Sequence, residues 1–214
     1  MEKMIVEEGG EEWMLLSEKC LFWPSQKMLI ISDLHLGKSG HFRKSGIPLP
    51  LGSDTTDLQR IDKLIQVLSP IKIVFLGDLF HSHYNMEWEL FSNWVRQRPQ
   101  LQFILIEGNH DLLPLNLYHE VGITVHPTLI VQNIHLSHQE LENCSGYNMY
   151  GHIHPGIRLV GKAKQTIKIP CFFISEKRMI LPAFGSLTGL HSMKPKPAEK
   201  VLGIANQQLI NLSH

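Results

Sequence analysis

The run Ile71-Lys72-Ile73-Val74-Phe75-Leu76-Gly77-Asp78 decides the fold of this chain. Its apolar, β-branched body is strand-length, and it stops on a glycine followed by a carboxylate. That is the profile of a parallel strand buried on both faces that delivers a polar group at its carboxyl end. The same grammar repeats on either side. Met28–Ile31 runs into Ser32-Asp33-Leu34-His35, and Leu101–Ile106 runs towards Gly108-Asn109-His110-Asp111. Between these strands lie two helical patterns. From Asp54 to Leu68, Leu58, Ile61, Leu64, Ile65 and Leu68 recur at helical spacing, with Ser53 or Asp54 as cap and Pro70 beyond the end. Met86–Arg96 forms the second, with Trp88 and Trp94 expected to pack, not to stack on bases. Strand, helix and strand in alternation imply β-α-β units.

Outside this block the texture changes. Trp13–Leu16 and Leu21–Trp23 open the chain as short β-type runs. After Val121, runs such as Thr128–Val131, Asn133–Leu136, Met149–Tyr150, Ile157–Val160, Lys168–Ile174 and Met179–Leu181 are separated by Gly, Pro and Asn. They predict a second, mostly antiparallel half, closed by a hairpin from Val201–Ile204 to Gln208–Ile210. The expected fold class is α/β: two sheets packed face to face and flanked by helices, four layers in the order α/β/β/α, in one domain over residues 1–214.

Composition narrows the function. The chain has 214 residues, 43% of them hydrophobic, which excludes a disordered or collagenous protein. Twenty basic residues balance 20 acidic ones, so overall basicity gives no argument for nucleic acid, although a local patch stays open. Cys20, Cys144 and Cys171 are far apart and fit reduced thiols. The acidic N-terminus lacks the profile of a signal peptide, and no apolar run approaches the roughly 20 residues of a membrane span. A cytoplasmic protein without membrane contact is expected.

The residues just past each strand carry the chemistry. In open α/β sheets, ligands collect outside the carboxyl ends of the strands. Asp33, His35, Asp78, Asn109, His138, His152 and His154 all stand at such ends. Carboxylate, imidazole and amide oxygen without thiolate suit Mn²⁺, Fe or Zn²⁺ better than Ca²⁺ or Mg²⁺. Seven donors exceed the need of one ion, so two divalent ions sharing a carboxylate are expected, an arrangement suited to in-line phosphoryl displacement. Gly77, Gly108 and Gly151 fit sharp turns close to the ions. His110, beside Asn109, is the candidate to meet the phosphate and protonate the leaving oxygen, and Asp111 the candidate to orient it.

Asp33-x-His35, Gly77-Asp78, Gly108-Asn109-His110-Asp111, His138 and Gly151-His152-x-His154 stand in the order of the five-motif signature of the calcineurin-like metallophosphoesterase superfamily, which the chain resembles. A narrower likeness lies in Asp33-Leu-His-Leu-Gly-Lys, His41-Phe-Arg-Lys-Ser-Gly-Ile-Pro, Gly77-Asp-Leu-Phe-His-Ser and Pro182-Ala-Phe-Gly-Ser-Leu-Thr-Gly. These segments look like the bacterial PdeM group, small metallophosphoesterases called ligase-associated DNA damage response endonucleases. The resemblance implies a Mn²⁺-dependent phosphodiesterase linked to DNA repair, acting on a phosphodiester substrate such as DNA, with a ligase as a repair partner and a homodimer allowed. Carried onto this chain, Asp33, His35, Asp78 and His154 would hold one metal. Asp78, Asn109, His138 and His152 would hold the other, with Asp78 shared and His110 the leaving-group acid.

Further polar residues are candidates for binding substrate: Asn109 itself, His41, Arg43 and Lys44 just past the first motif, and His81 and His83 after the second. His135 could stand in as a ligand but reads better as a satisfied core histidine. Lys194 to Lys200 reads better as a solvated linker than as a basic tail. Three rival functions remain: a small-molecule phosphoesterase, such as a nucleotide or lipid-precursor pyrophosphohydrolase, a cyclic-nucleotide or protein phosphatase, and a non-catalytic scaffold on the same fold. The first family carries Arg where His110 stands, and scaffolds typically lose metal ligands that this chain retains.

Overall fold

A computed structural model describes residues 1–38, 53–80, 86–161 and 164–213. Seven strands form the first sheet in chain order: β1 (Lys3–Glu8), β2 (Glu11–Leu16), β3 (Cys20–Trp23), β4 (Met28–Ile31), β5 (Lys72–Leu76), β6 (Gln102–Ile106) and β7 (Ile123–His126). The first four run as an antiparallel meander, and β4 to β7 are parallel. Among the described residues, three α-helices, α1 (Ser53–Leu68), α2 (Met86–Arg96) and α3 (Leu115–Glu120), supply or follow the crossovers. The apolar spacing of α1 does what it predicts: Leu58, Ile61 and Leu64 are buried against the sheet residues Ile31, Ile73 and Phe75 in one cluster. Trp88 and Trp94 of α2 enter that same cluster, as expected from their spacing.

The second sheet collects β8 (Thr128–Val131), β9 (Ile134–Ser137), β10 (Tyr147–Tyr150), β11 (Pro155–Val160), β12 (Thr166–Ile174), β13 (Arg178–Ile180), β14 (His191–Ser192), β15 (Lys200–Ala205) and β16 (Gln208–Asn211). Its main path is β14-β11-β12-β13-β10-β9-β8, with β15 and β16 added beside β12. Antiparallel pairs outnumber parallel ones, yet β9 and β10 are parallel to each other. That exception matters, because it brings the carboxyl ends of both strands to one edge. The closing hairpin turns on Asn206 and Gln207, both left-handed at φ 50° and 59°, which is the pair a two-residue primed turn requires.

The sheets face each other across a shared apolar core. Trp13, Trp23, Ile30 and Leu76 from one side meet Ile134, Leu136, Met149 and Phe172 from the other. The two-sheet sandwich flanked by helices is therefore as expected. Among the described residues the helices pack on the first sheet, and Ile153, Ile157, Met193 and Leu212 pack over the outer cluster of the second. Strands β1 and β7 and helix α3 escaped the sequence reading. β1 is an acidic edge strand with half its positions in solvent, and β7 and α3 carry too few apolar residues to show a period. All three cysteines are free. No helix among the described residues is long and apolar enough to cross a membrane.

Candidate metal centre

Five chain segments leave their strands at one edge of the sandwich, and each releases a metal-type donor there. β4 ends before Ser32-Asp33-Leu34-His35, β5 before Gly77-Asp78 and β6 before the 108–111 turn, while β9 leads to His138 and β10 to Gly151-His152-Ile153-His154. The first two loops are stitched together, with the amides of His35 and Leu36 donating to the carbonyls of Asp78 and Leu79 at 2.9 Å each.

The backbone at the donors is unusual. Asp33, His35, Asp78, His152 and His154 all sit at positive φ, between 49° and 64°. A side-chain-bearing residue in this region costs of order 1–3 kcal/mol, so five at one edge mark a place where the fold holds strain for a purpose. Glycine enables the close packing around them. Gly77 is itself left-handed, at φ 76°, and a Cβ there would lie 2.3 Å from Nδ1 of His138. A Cβ on Gly151 would lie 1.6 Å from the Ser32 hydroxyl and 2.4 Å from an oxygen of Asp33. The sequence placed these glycines next to ions; the structure places them against the ligand side chains themselves.

The donors form two groups that share Asp78: Asp33, His35, Asp78 and His154 in one, Asp78, His138 and His152 in the other. In the first, Nε2 of His35 is 3.2 Å from Nε2 of His154 and 3.7 Å from Asp78 Oδ2, and Nε2 of His154 is 3.2 Å from Asp33 Oδ1. In the second, His138 Nε2 stands 3.1 Å from Nδ1 of His152, 3.3 Å from Asp78 Oδ1 and 2.9 Å from the Asn109 amide oxygen. Asn109 thus joins the second group.

These contacts pass a direct test for a cation. The Nδ1 of His138 lies 2.9 Å from the carbonyl of Leu76, which can only accept, so Nδ1 carries the proton. In the neutral ring Nε2 then presents a lone pair to an amide oxygen, a carboxylate and a second imidazole. An amide oxygen, a carboxylate oxygen and an imidazole nitrogen thus converge on one lone pair. Metal–ligand bonds of roughly 2.0–2.2 Å place neighbouring ligand atoms roughly 3.0–3.5 Å apart, which is the spacing found here. The residues present fit a pair of divalent ions.

Electrostatics points the same way. Burial works to raise the pKa of Asp33, but the hydrogen bond and charge of His154, the Ser32 hydroxyl and His138 outweigh it and hold the carboxyl below its ordinary value. The His152 amide also donates to both Asp33 oxygens, at 3.1 and 2.9 Å. Burial and the neighbouring His138 lower the pKa of His152, favouring the neutral ring a metal requires.

His110 and Asp111 occupy different positions. The His110 amide donates to Asp78 Oδ1 at 3.0 Å, and its ring lies edge-on to that of His35, 5.7 Å between centroids. It therefore borders the first group while remaining partly open to solvent. Asp111 was expected to orient His110. Its carboxylate instead accepts the amides of Leu79, Phe80 and Gly108 at 2.9, 3.2 and 2.9 Å, pinning the 77–80 and 108–111 loops to one another. Burial pushes its pKa up to about 7 against the pull of those three donors.

His135 lies outside both groups. It stands three positions before His138, so strand alternation puts it on the other face, where it packs against Gly146. His41, Arg43, Lys44, His81 and His83 fall outside the described residues. Lys38 is the site residue that the sequence reading missed: it lies close enough for Asp78 and Asp33 to pull its pKa upward, although burial prevails and lowers it. Its place at the end of Asp33-Leu-His-Leu-Gly-Lys was the available signal.

Phe184-Gly185-Ser186 forms a strap beneath this centre. The Phe184 amide donates to the Ser32 carbonyl at 2.8 Å, and the Gly185 amide to the Asp33 carbonyl at 3.2 Å. Asp57 and Arg60 of α1 hold the strap in place. Asp57 accepts the amide and hydroxyl of Ser186 at 3.0 and 2.5 Å, and Arg60 donates to the Phe184 carbonyl while its guanidinium lies 4.0 Å above the Phe184 ring.

This fold and donor set define a class, and residues 26–170 match the family model described as calcineurin-like phosphoesterase. The chain belongs to that family and is a hydrolase acting on phosphoester bonds. Among solved structures it is similar to the Pseudomonas putida nuclease MPE, with a TM-score of 0.84 and 25% identity over 99% of this chain and 100% of that one. It is more distantly similar to the phosphoesterase Yfce from E. coli, with a TM-score of 0.42 and 13% identity over 86% of this chain and 96% of that one. No curated protein sequence matches it significantly.

Proposed function

We propose that this chain is a phosphodiesterase of the nuclease type, working with two divalent ions, manganese by its resemblance to the ligase-associated group, and acting in DNA repair as one catalytic domain. One observation carries the reading: Asp78, buried and common to both groups, stands between two clusters of carboxylate and imidazole ligand atoms drawn within 4.8 Å of one another. Asp33, His35, Asp78 and His154 would hold one ion, and Asp78, Asn109, His138 and His152 the other. The bound ions would supply charge neutralisation and a lowered pKa for water. The chain's own residues do the rest. The His138 tautomer is fixed by the Leu76 carbonyl, so its lone pair always faces the centre. Asp111 keeps the Asp78 and Asn109 loops in register. His110, on the open side, holds a proton at its ring nitrogen and gives it to the leaving oxygen of the diester. DNA as the substrate is supported by the MPE likeness, which spans both chains almost fully, and by the resemblance of the 182–189 segment to the ligase-associated group.

The test combines metal analysis with a substrate panel: a model diester, single-stranded and duplex DNA, and cyclic nucleotides. Two ions per chain and manganese-dependent cleavage of DNA are expected. Hydrolysis of small phosphoesters alone would replace this reading with that of a small-molecule phosphoesterase.

A further inference from the structure

The neutral net charge conceals a segregation. Residues 1–18 hold Glu2, Glu7, Glu8, Glu11, Glu12 and Glu18 against one lysine, whereas residues 155–175 and 179–198 contain no Asp or Glu. The acid-free stretches fold beside each other. β11 and β12 form an antiparallel hairpin, and β14 pairs in parallel with β11 along its other edge. The arm is rooted in the metal centre: β11 begins at the residue after His154, and the His191 amide of β14 donates to the His154 carbonyl at 2.9 Å.

Its charges are set like against like. Arg158 stands directly opposite Lys168 across the β11–β12 pair, and both are exposed. Like charges in that register destabilise a hairpin. Lys168 is tied to the Leu190 carbonyl at 2.9 Å, but among the described residues Arg158, Lys164 and Lys194 have no carboxylate partner. Glu199, next in the chain, is already engaged by Arg178 and by the Lys196 amide. Val160, on the same face as Arg158 and 65% exposed, adds an apolar surface of the kind that lies against sugars and bases.

We infer that the arm formed by β11, β12 and β14 is the track on which the phosphate backbone of a nucleic acid runs away from the metal centre, gripped by Arg158, Lys164 and Lys194. This rests on the nuclease reading above and adds to it the binding surface. A polyanion relieves the Arg158–Lys168 repulsion, and a basic strip leading out of a phosphodiesterase centre holds phosphates flanking the one to be cut. Neutralising a phosphate releases counterions, so each contact contributes about 0.7–0.9 to the slope of log affinity against log salt.

The experiment compares the full chain with its Arg158→Gln, Lys164→Gln, Lys194→Gln triple variant. Binding of a fluorescein-labelled oligonucleotide is followed by anisotropy in EDTA across a salt series, and cleavage of that oligonucleotide and of bis(p-nitrophenyl) phosphate is followed with manganese. The triple variant is expected to lose about 2–3 units of salt slope and about tenfold or more in oligonucleotide kcat/KM, with small-diester hydrolysis unchanged. The charge-conserving Arg158→Lys, Lys164→Arg, Lys194→Arg variant should retain the wild-type slope. An unaltered slope in the glutamine variant overturns the inference, as does an equal loss on both substrates. Phosphatidylserine vesicles bound in place of the oligonucleotide, or salt-sensitive self-association lost with DNA binding intact, would reassign the arm. Wild-type protein that hydrolyses the small diester but neither binds nor cuts DNA would overturn the nuclease reading itself, which is a separate result.

Discussion

Replacing Asp57 with alanine tests whether the metal centre depends on the strap beneath it. Asp57 is only 5% exposed, and its carboxylate accepts three donors: Arg60 at 2.8 Å and the Ser186 amide and hydroxyl at 3.0 and 2.5 Å. Alanine removes the acceptor that all three share. Breaking a buried ion pair by removing one partner costs about 3–5 kcal/mol. The lower end applies here, because Arg60 keeps the carbonyls of Phe184 and Glu18 and the Phe184 ring. An unfolding entropy of about 2.1 cal/mol/K per residue over 214 residues gives about 0.45 kcal/mol/K, so the melting temperature should fall by about 7 °C. The loss reaches the site through Phe184 and Gly185, whose amides hold the backbone of Ser32 and Asp33. Loosening them should weaken manganese binding by about tenfold, the low end of the range for groups supporting a ligand. Thermal denaturation by circular dichroism and a metal titration measure both effects. Asp57→Asn keeps an amide oxygen for Ser186 and should recover at least half of the stability. A melting temperature within about 2 °C of wild type, with metal affinity unchanged, would refute the argument that this clamp supports Asp33.

The site and its surroundings lead to four further expected outcomes. Asp78→Asn removes the shared carboxylate, so bound metal and diester turnover should disappear together; activity persisting after loss of both ions would show that the chemistry lies elsewhere. His110→Ala should leave metal content intact while cleavage of diesters with poor leaving groups falls by about two to four orders of magnitude, read from steady-state kinetics. Gly151→Ala drives a Cβ to 1.6 Å from the Ser32 hydroxyl and should abolish metal binding, whereas Gly189→Ala, with nothing within 4 Å, should not. Lys19 donates to the Gly185 carbonyl, and burial, with help from Arg60, pushes its pKa down to about 8 from 10.5. Between those values the unfolded chain holds the proton that the folded chain has released, so stability should rise with pH across that window. The gain relative to Lys19→Met is at most about 3 kcal/mol by urea unfolding at each pH, and a flat difference would count against the burial.

Much of the architecture was readable because it rests on short-range pattern. The periodic leucines and isoleucines of α1, the buried run of β5 and the glycines ending the strands each encode their own element, and α2 matches its expected bounds residue for residue. β1 was not readable, since an edge strand that puts alternate residues into solvent has little apolar pattern to show. The placement of His135 was also decided by the fold: near His138 in sequence, it lies on the opposite face because side chains alternate along a strand.

By itself, the sequence determined which donors this chain possesses and that they come directly after strand ends, since strand polarity and chain order bring carboxyl ends of parallel strands to one edge. How they divide was implied only by resemblance, and the tertiary structure supplied the distances. Distances between loops far apart in the chain made Asp78 common to both groups, drew the Asp111 carboxylate onto three backbone amides and ran the basic arm out from His154. The reason is physical: local pattern sets each backbone's own conformation, but a hydrogen bond or a shared ligand depends on the separation of atoms that only packing of the two sheets brings together.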